Sequence, residues 1–233
     1  MIRDIIGLCS ILMLAGCQEA PTYTQSDSSV EGGSGRVYLD REIADVMSSE
    51  HGALWLDRPE RDLEELPNRL FRVLNLNPST VVADIGSGTG FFTFRLASLV
   101  PHGRVYAVEV QQALVDTIQV RSSRNGFSNV TPILGTVESP NLPSNRVDLA
   151  LIVSSYHEFS YPKEMIESIF ASLKSGARLV IVEYRLEDET VGIPEAHRMS
   201  EAQIRVEIEA AGFEFRGRED VLPQQHVLIF RRP

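Results

Sequence analysis

The stretch that most constrains this chain runs Val81-Val82-Ala83-Asp84-Ile85-Gly86-Ser87-Gly88-Thr89-Gly90, followed by Phe91-Phe92-Thr93-Phe94-Arg95-Leu96-Ala97. Its apolar, β-branched opening reads as a buried parallel strand that ends in Asp84 and three alternate glycines. Glycine there lets the backbone turn tightly and approach a bulky ligand with no Cβ in the way. The segment after the loop sets Phe92, Leu96, Ala97 and Val100 on one helical face, so the order is strand, glycine loop, helix. An α/β sheet builds a nucleotide crevice from that order, at the carboxyl ends of its strands.

A second strand, Arg104 to Glu109, follows and ends in an acid. A carboxylate about 20 residues beyond the loop can accept hydrogen bonds from both ribose hydroxyls. Glycine spacing separates the nucleotide classes. A dinucleotide loop, G-x-G-x-x-G counted from Gly86, requires glycine at the place of Phe91. The pattern is instead D-x-G-x-G-x-G, from Asp84 to Gly90, and it resembles motif I of the class I S-adenosylmethionine-dependent methyltransferases. The resemblance covers roughly residues 67 to 230. It implies a Rossmann-like α/β fold, with a seven-stranded, mostly parallel sheet, helices on both faces and an N-terminal helical cap. It also implies S-adenosyl-L-methionine as cofactor, with Asp84, Gly86, Ser87, Gly88 and Gly90 around it and Glu109 on its ribose. In that family the loop after the third strand commonly offers an Asp to the adenine amino group. Here the loop is Gly135-Thr136-Val137-Glu138, with Thr136 in the Asp place. Thr136 or Glu138, with the Val137 backbone amide, is left to meet adenine.

At 233 residues the chain has room for one domain plus appendages, and 43% hydrophobic content is ample for a core. Net charge is −10 with no block of Lys or Arg, which argues against a nucleic-acid partner, since phosphate binding depends on basic residues. The acidic balance suits a small-molecule or a peptide substrate. Residues 1–16 read as an export signal: Ile5 to Leu14 is apolar, too short for a spanning anchor and of the length of a signal h-region. It closes with Leu14-Ala15-Gly16-Cys17, which matches the lipobox of bacterial lipoproteins. By that resemblance Cys17 is the lipidated first residue of the mature chain and ties it to the membrane of the cell envelope. Gln18 rather than Asp after it favours the outer membrane. The alternative is an apolar N-terminus on a cytoplasmic enzyme. With Cys9 in the leader, the mature chain keeps one cysteine, so no disulfide and no cysteine metal site can form.

Residues 17–36, rich in Ser, Gly, Thr and Gln, read as a flexible linker, residues 37–66 as the helical cap, and 67–233 as the catalytic domain. Leu39, Ile43, Val46 and Met47 fall at helical spacing in Tyr38–Met47. Trp55, Arg58 and Arg61 stand in the cap. They either touch substrate or, the reading favoured here, glue the cap to the domain, the arginines pairing with Glu60, Glu64 and Glu65. Further helices are expected over Pro67–Leu76, Gln111–Arg124 and Tyr161–Lys174, the last closed by Gly176 as a left-handed cap. Ser200-Glu201-Ala202-Gln203 is a capping box that opens a helix ending at Gly212. Strands are expected at Val130–Leu134, Asp148–Val153 and Arg178–Glu183, and a closing pair follows at Phe213–Phe215 and His226–Phe230, the last antiparallel.

Methyl transfer from a sulfonium is an in-line displacement whose leaving group comes with the cofactor, so the protein mainly positions the acceptor. A base matters only where the acceptor loses a proton, and it belongs at the carboxyl end of the fourth or fifth strand. The fourth strand delivers Ser154-Ser155-Tyr156-His157-Glu158-Phe159 there. Ser154 and Tyr156 are expected on the cofactor, and His157 and Glu158 are the catalytic candidates, since imidazole titrates near neutrality. A histidine that merely caps a turn or packs on the cofactor is weighed equally. Glu183, Tyr184 and Arg185 are second candidates, and His197 a weaker one. No Asp, Glu and His run stands at a metal-ligand spacing, so no metal is expected. The expected partner is a small-molecule methyl acceptor. The rivals are a protein or peptide methyltransferase, which needs an open groove, and a catalytically silent cofactor-binding protein of the envelope.

Overall fold

The computed structural model describes residues 21–233 except Ser28, and of Ser49, Glu50 and His51 the backbone alone. The expected leader and Cys17 lie outside the described residues. The N-terminal part holds β1 (Thr24–Gln25), β2 (Gly33–Tyr38), β3 (Arg41–Ala44), α1 (Ser49–Leu56) and α2 (Arg61–Glu65). There follow α3 (Pro67–Leu74), β4 (Val81–Ile85), α4 (Phe91–Leu99), β5 (Arg104–Glu109), α5 (Gln112–Asn125), β6 (Val130–Leu134) and β7 (Val147–Val153). The chain closes with α6 (Pro162–Ser172), β8 (Leu173–Tyr184), α7 (Glu201–Ala210), β9 (Glu214–Glu219) and β10 (Gln225–Arg231).

The strands β4 to β10 form one sheet in the order β6-β5-β4-β7-β8-β10-β9. Strand β4 runs parallel to β5 and β7, and β5–β6 and β7–β8 are parallel too. The last strand is antiparallel to both β8 and β9, as the sequence leads one to expect. Helices cover both faces, so alternation along a central strand sorts side chains between two apolar layers rather than between core and solvent. Val82, Leu149, Leu151, Val180 and Val182 meet Leu70, Leu96 and Ile118 on one side. Ala83, Ala150, Ile152, Leu179 and Ile181 meet Met165, Ile166, Ile204 and Ile208 on the other. A fully buried aliphatic side chain of this kind stabilises the fold by about 1.5–3 kcal/mol. From β4 the chain steps outward to β5 and β6 and returns to β7 on the other flank. The loops after β4 and β7 therefore part over a crevice at the carboxyl ends of the strands, where such sheets bind ligands.

Three expectations need correction. Tyr38–Met47 is not a helix: β2 and β3 are a hairpin turning at Leu39 and Asp40, whose φ values are 45° and 66°. That is the backbone sign a two-residue hairpin turn demands. Tyr38, Ile43 and Ala44 are buried while Leu39, Val46 and Met47 are exposed, so the spacing that resembled a helical face is not one. The tract expected as a linker contributes β1 and most of β2, and β1, β2 and β3 form a small sheet of their own. Finally, Gly176 is left-handed (φ 78°) but lies within β8. Helix α6 stops at Ser172, and the extra residues bulge between the pairs Val147–Leu173 and Leu149–Arg178. The Gly176 amide donates to the Arg232 carbonyl at 2.8 Å, and the Arg232 guanidinium donates to the Leu173 carbonyl.

The hairpin is anchored by charge. Arg41 Nε donates to Glu207 Oε1 at 2.6 Å and its Nη2 to Oε2 at 2.9 Å, with the Glu207 side chain fully buried on α7. Ser200 caps that helix as the sequence pattern predicts, accepting from the Gln203 amide at 3.1 Å. The Gln203 side chain reaches instead to the Leu39 carbonyl (2.7 Å) and to Glu207 (2.9 Å). Hairpin and sheet domain are thus stitched together directly behind the crevice.

Candidate active site

One wall of the crevice is the glycine loop. The amides of Gly86 and Ser87 both donate to the Val108 carbonyl, at 2.9 and 3.0 Å, which curls the loop back over β5. Gly86 has a φ of 72°, and a Cβ on it would stand 2.4 Å from Ser155 Oγ, so only glycine lets the loops after β4 and β7 touch. Gly88 (φ 55°) packs likewise under the cap, its absent Cβ 2.9 Å from Leu56 Cδ1. Glu109, at the end of β5, accepts from the amides of Gly88 (3.1 Å), Val110 (2.8 Å) and Gln111 (3.1 Å). Burial raises its pKa, and those amides hold part of the rise back. Asp84 is buried below the loop, accepts from Thr93 Oγ1 at 2.6 Å, and is pushed up to about 6 by burial.

The facing wall is the turn after β7. Ser154 takes a left-handed conformation (φ 47°), with its amide on the Val182 carbonyl at 2.7 Å. A single 3₁₀ turn, Tyr156–Glu158, follows. Glu183, fully buried on β8, organises that turn. Its Oε1 accepts from the amides of Ser155 (3.1 Å) and Tyr156 (2.7 Å), and its Oε2 meets His157 Nδ1 at 2.7 Å. A carboxylate only accepts, so in the neutral imidazole Nδ1 carries the proton and Nε2 the lone pair. Burial works against the imidazolium, but the charge and hydrogen bond of Glu183 outweigh it and the pKa of His157 lies above its usual value. Arg41 Nη1 donates to the His157 carbonyl at 3.2 Å from behind. Glu158 Oε1 stands 3.8 Å from His157 Nε2 and 3.7 Å from His197 Nδ1. Burial raises the pKa of Glu158, whereas burial and the neighbouring His157 lower that of His197.

Between the walls lies a cavity of about 450 Å³, within the range of small-molecule sites. Asp84, Gly86, Ser87, Gly88, Glu109, Val137, Ser154, His157 and Glu158 all line it. Three expected residues do not. Gly90 is the turn residue before α4. Thr136 is exposed and spends its hydroxyl on its own loop, accepting from the Ser139 amide at 3.0 Å. Tyr156 is fully buried, and its hydroxyl donates to Glu207 Oε2 at 2.7 Å. Of the second candidates, Tyr184 lines the cavity, Glu183 acts through His157, and Arg185 turns away to the carbonyls of Pro223 (2.7 Å) and Leu222 (3.0 Å). In the cap, Arg58 and Arg61 pair with Glu64 and Glu65, while Glu60 takes no part. Trp55 lines the cavity and carries the Arg58 guanidinium 3.8 Å over its ring.

Phe159, in the segment expected at the crevice, and Pro194, in the His197 loop, also line the cavity, and so do Met47, Leu56 and Glu65, which the sequence does not mark for it. In the cap the apolar ones read like core positions, and nothing in their spacing marks a ligand wall. His197 was singled out only weakly, and it is the residue that brings the loop after β8 onto His157, their rings 5.0 Å apart.

A family model described as a methyltransferase domain matches residues 76–214. The ubiquinone/menaquinone biosynthesis C-methyltransferase UbiE of Wigglesworthia glossinidia brevipalpis is 26% identical over 110 residues, 46% of this chain and 44% of that protein. The protein-L-isoaspartate O-methyltransferase of Aeropyrum pernix is 30% identical over 121 residues, 48% of this chain and 42% of that one. The chain thus spans less than half the length of these curated relatives. Among solved structures, a SAM dependent methyltransferase from Aquifex aeolicus superposes with a TM-score of 0.74 at 25% identity, covering 79% of this chain and 98% of the other.

Proposed function

Because the chain belongs to the methyltransferase-domain family, we propose that it moves the methyl group of S-adenosylmethionine onto a small-molecule acceptor held between the glycine loop and the cap. The observation that carries this reading is a single cavity lined on one side by the glycine loop and Glu109, and on the other by His157 and Glu158. The residues fit the cofactor. Gly86 and Gly88, lacking a Cβ, let Ser155 and Leu56 close directly onto the loop, so its backbone forms the cavity wall there. Glu65, in the cavity wall, has a buried Oε2 with no hydrogen-bond partner among the described residues, an acceptor suited to a cationic or hydroxyl donor. Gly86, Ser87 and Gly88 would hold the cofactor, with Glu109 on its ribose and Val137 on its adenine side. When bound, S-adenosylmethionine supplies an electrophilic methyl carbon on a positively charged sulfur, with the leaving group built in.

The chain's own residues must then place the acceptor, keep out water and take a proton where the acceptor carries one. Holding the acceptor in line supplies several kcal/mol. Met47, Trp55 and Leu56 roof the cavity from the cap, and Phe159 and Pro194 close it from the loops after β7 and β8. The Nε2 lone pair of His157 is the base, aimed by Glu183 through Nδ1. The two relatives named above act at carbon and at oxygen, so the acceptor atom is left to this wall's chemistry. A roofed cavity favours a small molecule over a peptide, which requires an open groove.

The test is calorimetric binding of S-adenosylmethionine and S-adenosylhomocysteine to the purified chain. A micromolar constant that is lost in Glu109→Ala and in Gly88→Val is expected, and would justify an acceptor screen that follows S-adenosylhomocysteine formation. Absence of binding at millimolar cofactor would sink the reading.

A further inference from the structure

At the acceptor end of the cavity, three side chains with lone pairs converge from segments that the sequence keeps apart. His157 and Glu158 come from the turn after β7, and His197 from a turn in the long loop after β8. One donor atom of each lies within 4.8 Å of the other two. Glu158 Oε1 is the hub, 3.8 Å from His157 Nε2 and 3.7 Å from His197 Nδ1. The two imidazoles stand nearly perpendicular, at 76°, so they are not stacked on each other. Among the described residues His157 Nε2 makes no hydrogen bond, although the side chain is 4% exposed.

We propose that His157, Glu158 and His197 form a binding site for one divalent transition-metal ion of the zinc type. Two imidazoles and a carboxylate are the donor set of an open, three-ligand site, in which a further position takes water or a substrate atom. An ion with bonds of about 2.0–2.1 Å sets its ligand atoms about 3.3 Å apart. The two separations from Glu158 Oε1 are about half an ångström wider than that, and the donor atoms of the two imidazoles lie within 4.8 Å of each other, so side-chain rotation must draw the three together on the ion. The supporting contact is already built. Metal-bound histidines donate their second ring nitrogen to a carboxylate, which fixes tautomer and aim, and His157 Nδ1 meets Glu183 in that way at 2.7 Å. Charge agrees: Glu158 and Glu183 flank the two imidazoles, Asp45 acts on His197 from the hairpin side, and the nearby cation Arg41 is committed to Glu207.

Such an ion would tie the loop after β8 to the turn after β7 and leave its open position toward the cavity. Resting here on the methyl-transfer reading, the acceptor would then be one whose oxygen or nitrogen completes the ion's shell. In the loaded protein the ion, rather than the His157 lone pair, would polarise that atom.

The test titrates Co²⁺ into the purified full chain and follows the visible absorption of a four- or five-coordinate ion, with Zn²⁺ as competitor. One ion per chain is expected, displaced by Zn²⁺. His197→Ala and Glu158→Gln should each weaken binding about tenfold or more, and Glu183→Gln, which touches no ion, should weaken it by about 10–100-fold. Six-coordinate absorption alone, or unchanged binding in both His197→Ala and Glu158→Gln, overturns the proposal. S-adenosylmethionine binding, measured on the same samples, reports that each variant is folded and separates the two readings. Metal binding without cofactor binding sinks the methyltransferase assignment alone, and cofactor binding without metal binding sinks the metal site alone.

Discussion

The two walls of the cavity are made differently. The glycine-loop wall is built from one strand, one loop and one neighbouring strand, Asp84 to Glu109, and is held mainly by hydrogen bonds between near neighbours in the sheet. The facing wall joins the cap, the turn after β7, Glu183 on β8 and the loop carrying His197, and it leans on a hairpin more than a hundred residues away through Arg41. A nucleotide cofactor is common to many chemistries, and its cradle can be a local motif. An acceptor pocket is particular, and on the proposed reading the facing wall, assembled by tertiary contacts, is that pocket. If that division is real, substitutions can damage one wall and spare the other.

The sharpest attempt to break it is Glu183→Gln. The amide keeps an oxygen for the Ser155 and Tyr156 amides but presents N–H to His157 Nδ1, which forces the ring proton onto Nε2 and removes the lone pair from the cavity. Turnover should fall by about 10²–10⁴, the usual worth of a positioned base, with cofactor affinity unchanged. Nitrogen chemical shifts of His157 should show the exchanged tautomer before any acceptor is known. Wild-type shifts and full turnover in this variant would show that Glu183 does not aim the ring.

Arg41→Ala tests the long-range support. Removing the guanidinium leaves the Glu207 carboxylate buried without its charge partner, and breaking a buried pair costs about 3–5 kcal/mol. Chemical denaturation should show that loss, and Glu207→Gln in the same chain should recover part of it by removing the stranded charge. His157 resonances should move, because Arg41 also holds the His157 carbonyl. A chain that keeps its stability after Arg41→Ala would mean that the hairpin is an ornament on the domain.

How much of this was legible in the sequence follows the same line. The bounds of β4, β5 and β6 fall where apolar runs and turn residues put them, and the glycine loop carries the family resemblance that implies the cofactor, because each lies within one segment. His157 and Glu158 could be named as candidates from their place after a strand, but Glu183 as their organiser could not. Its partners Ser155 and Tyr156 are defined by the pairing of β7 with β8, not by distance along the chain. The hairpin was misread because Leu39-Asp40 is an unusual pair for a turn with positive φ, and Leu39, Ile43 and Met47 share a helical period by coincidence. The convergence of His197 on His157 and Glu158 spans too much chain for any local metal-ligand spacing to register.

The smallest effect expected probes the local wall, where Asp84 is the costly residue. The residue is 2% exposed, its carboxyl has one side-chain partner, Thr93, and burial pushes its pKa from 3.8 to about 6. Between about pH 4 and pH 6 the folded chain therefore keeps a proton that the unfolded chain has lost. Where the native state binds more protons, stability falls as pH rises, so this carboxyl favours folding at acid pH and opposes it above pH 6. A shift of that size is worth about 3 kcal/mol. Asp84→Asn keeps an oxygen for the Thr93 hydroxyl but carries no charge, and its stability lacks this contribution. Urea denaturation at pH 4 and pH 7 should show the variant gaining on wild type by up to that amount, in the absence of cofactor. A local motif that spends stability in this way is being held for its ligand. Parallel curves for the two proteins would mean that Asp84 keeps its charge at no cost in the folded state, and that the cofactor wall is as relaxed as the rest of the sheet.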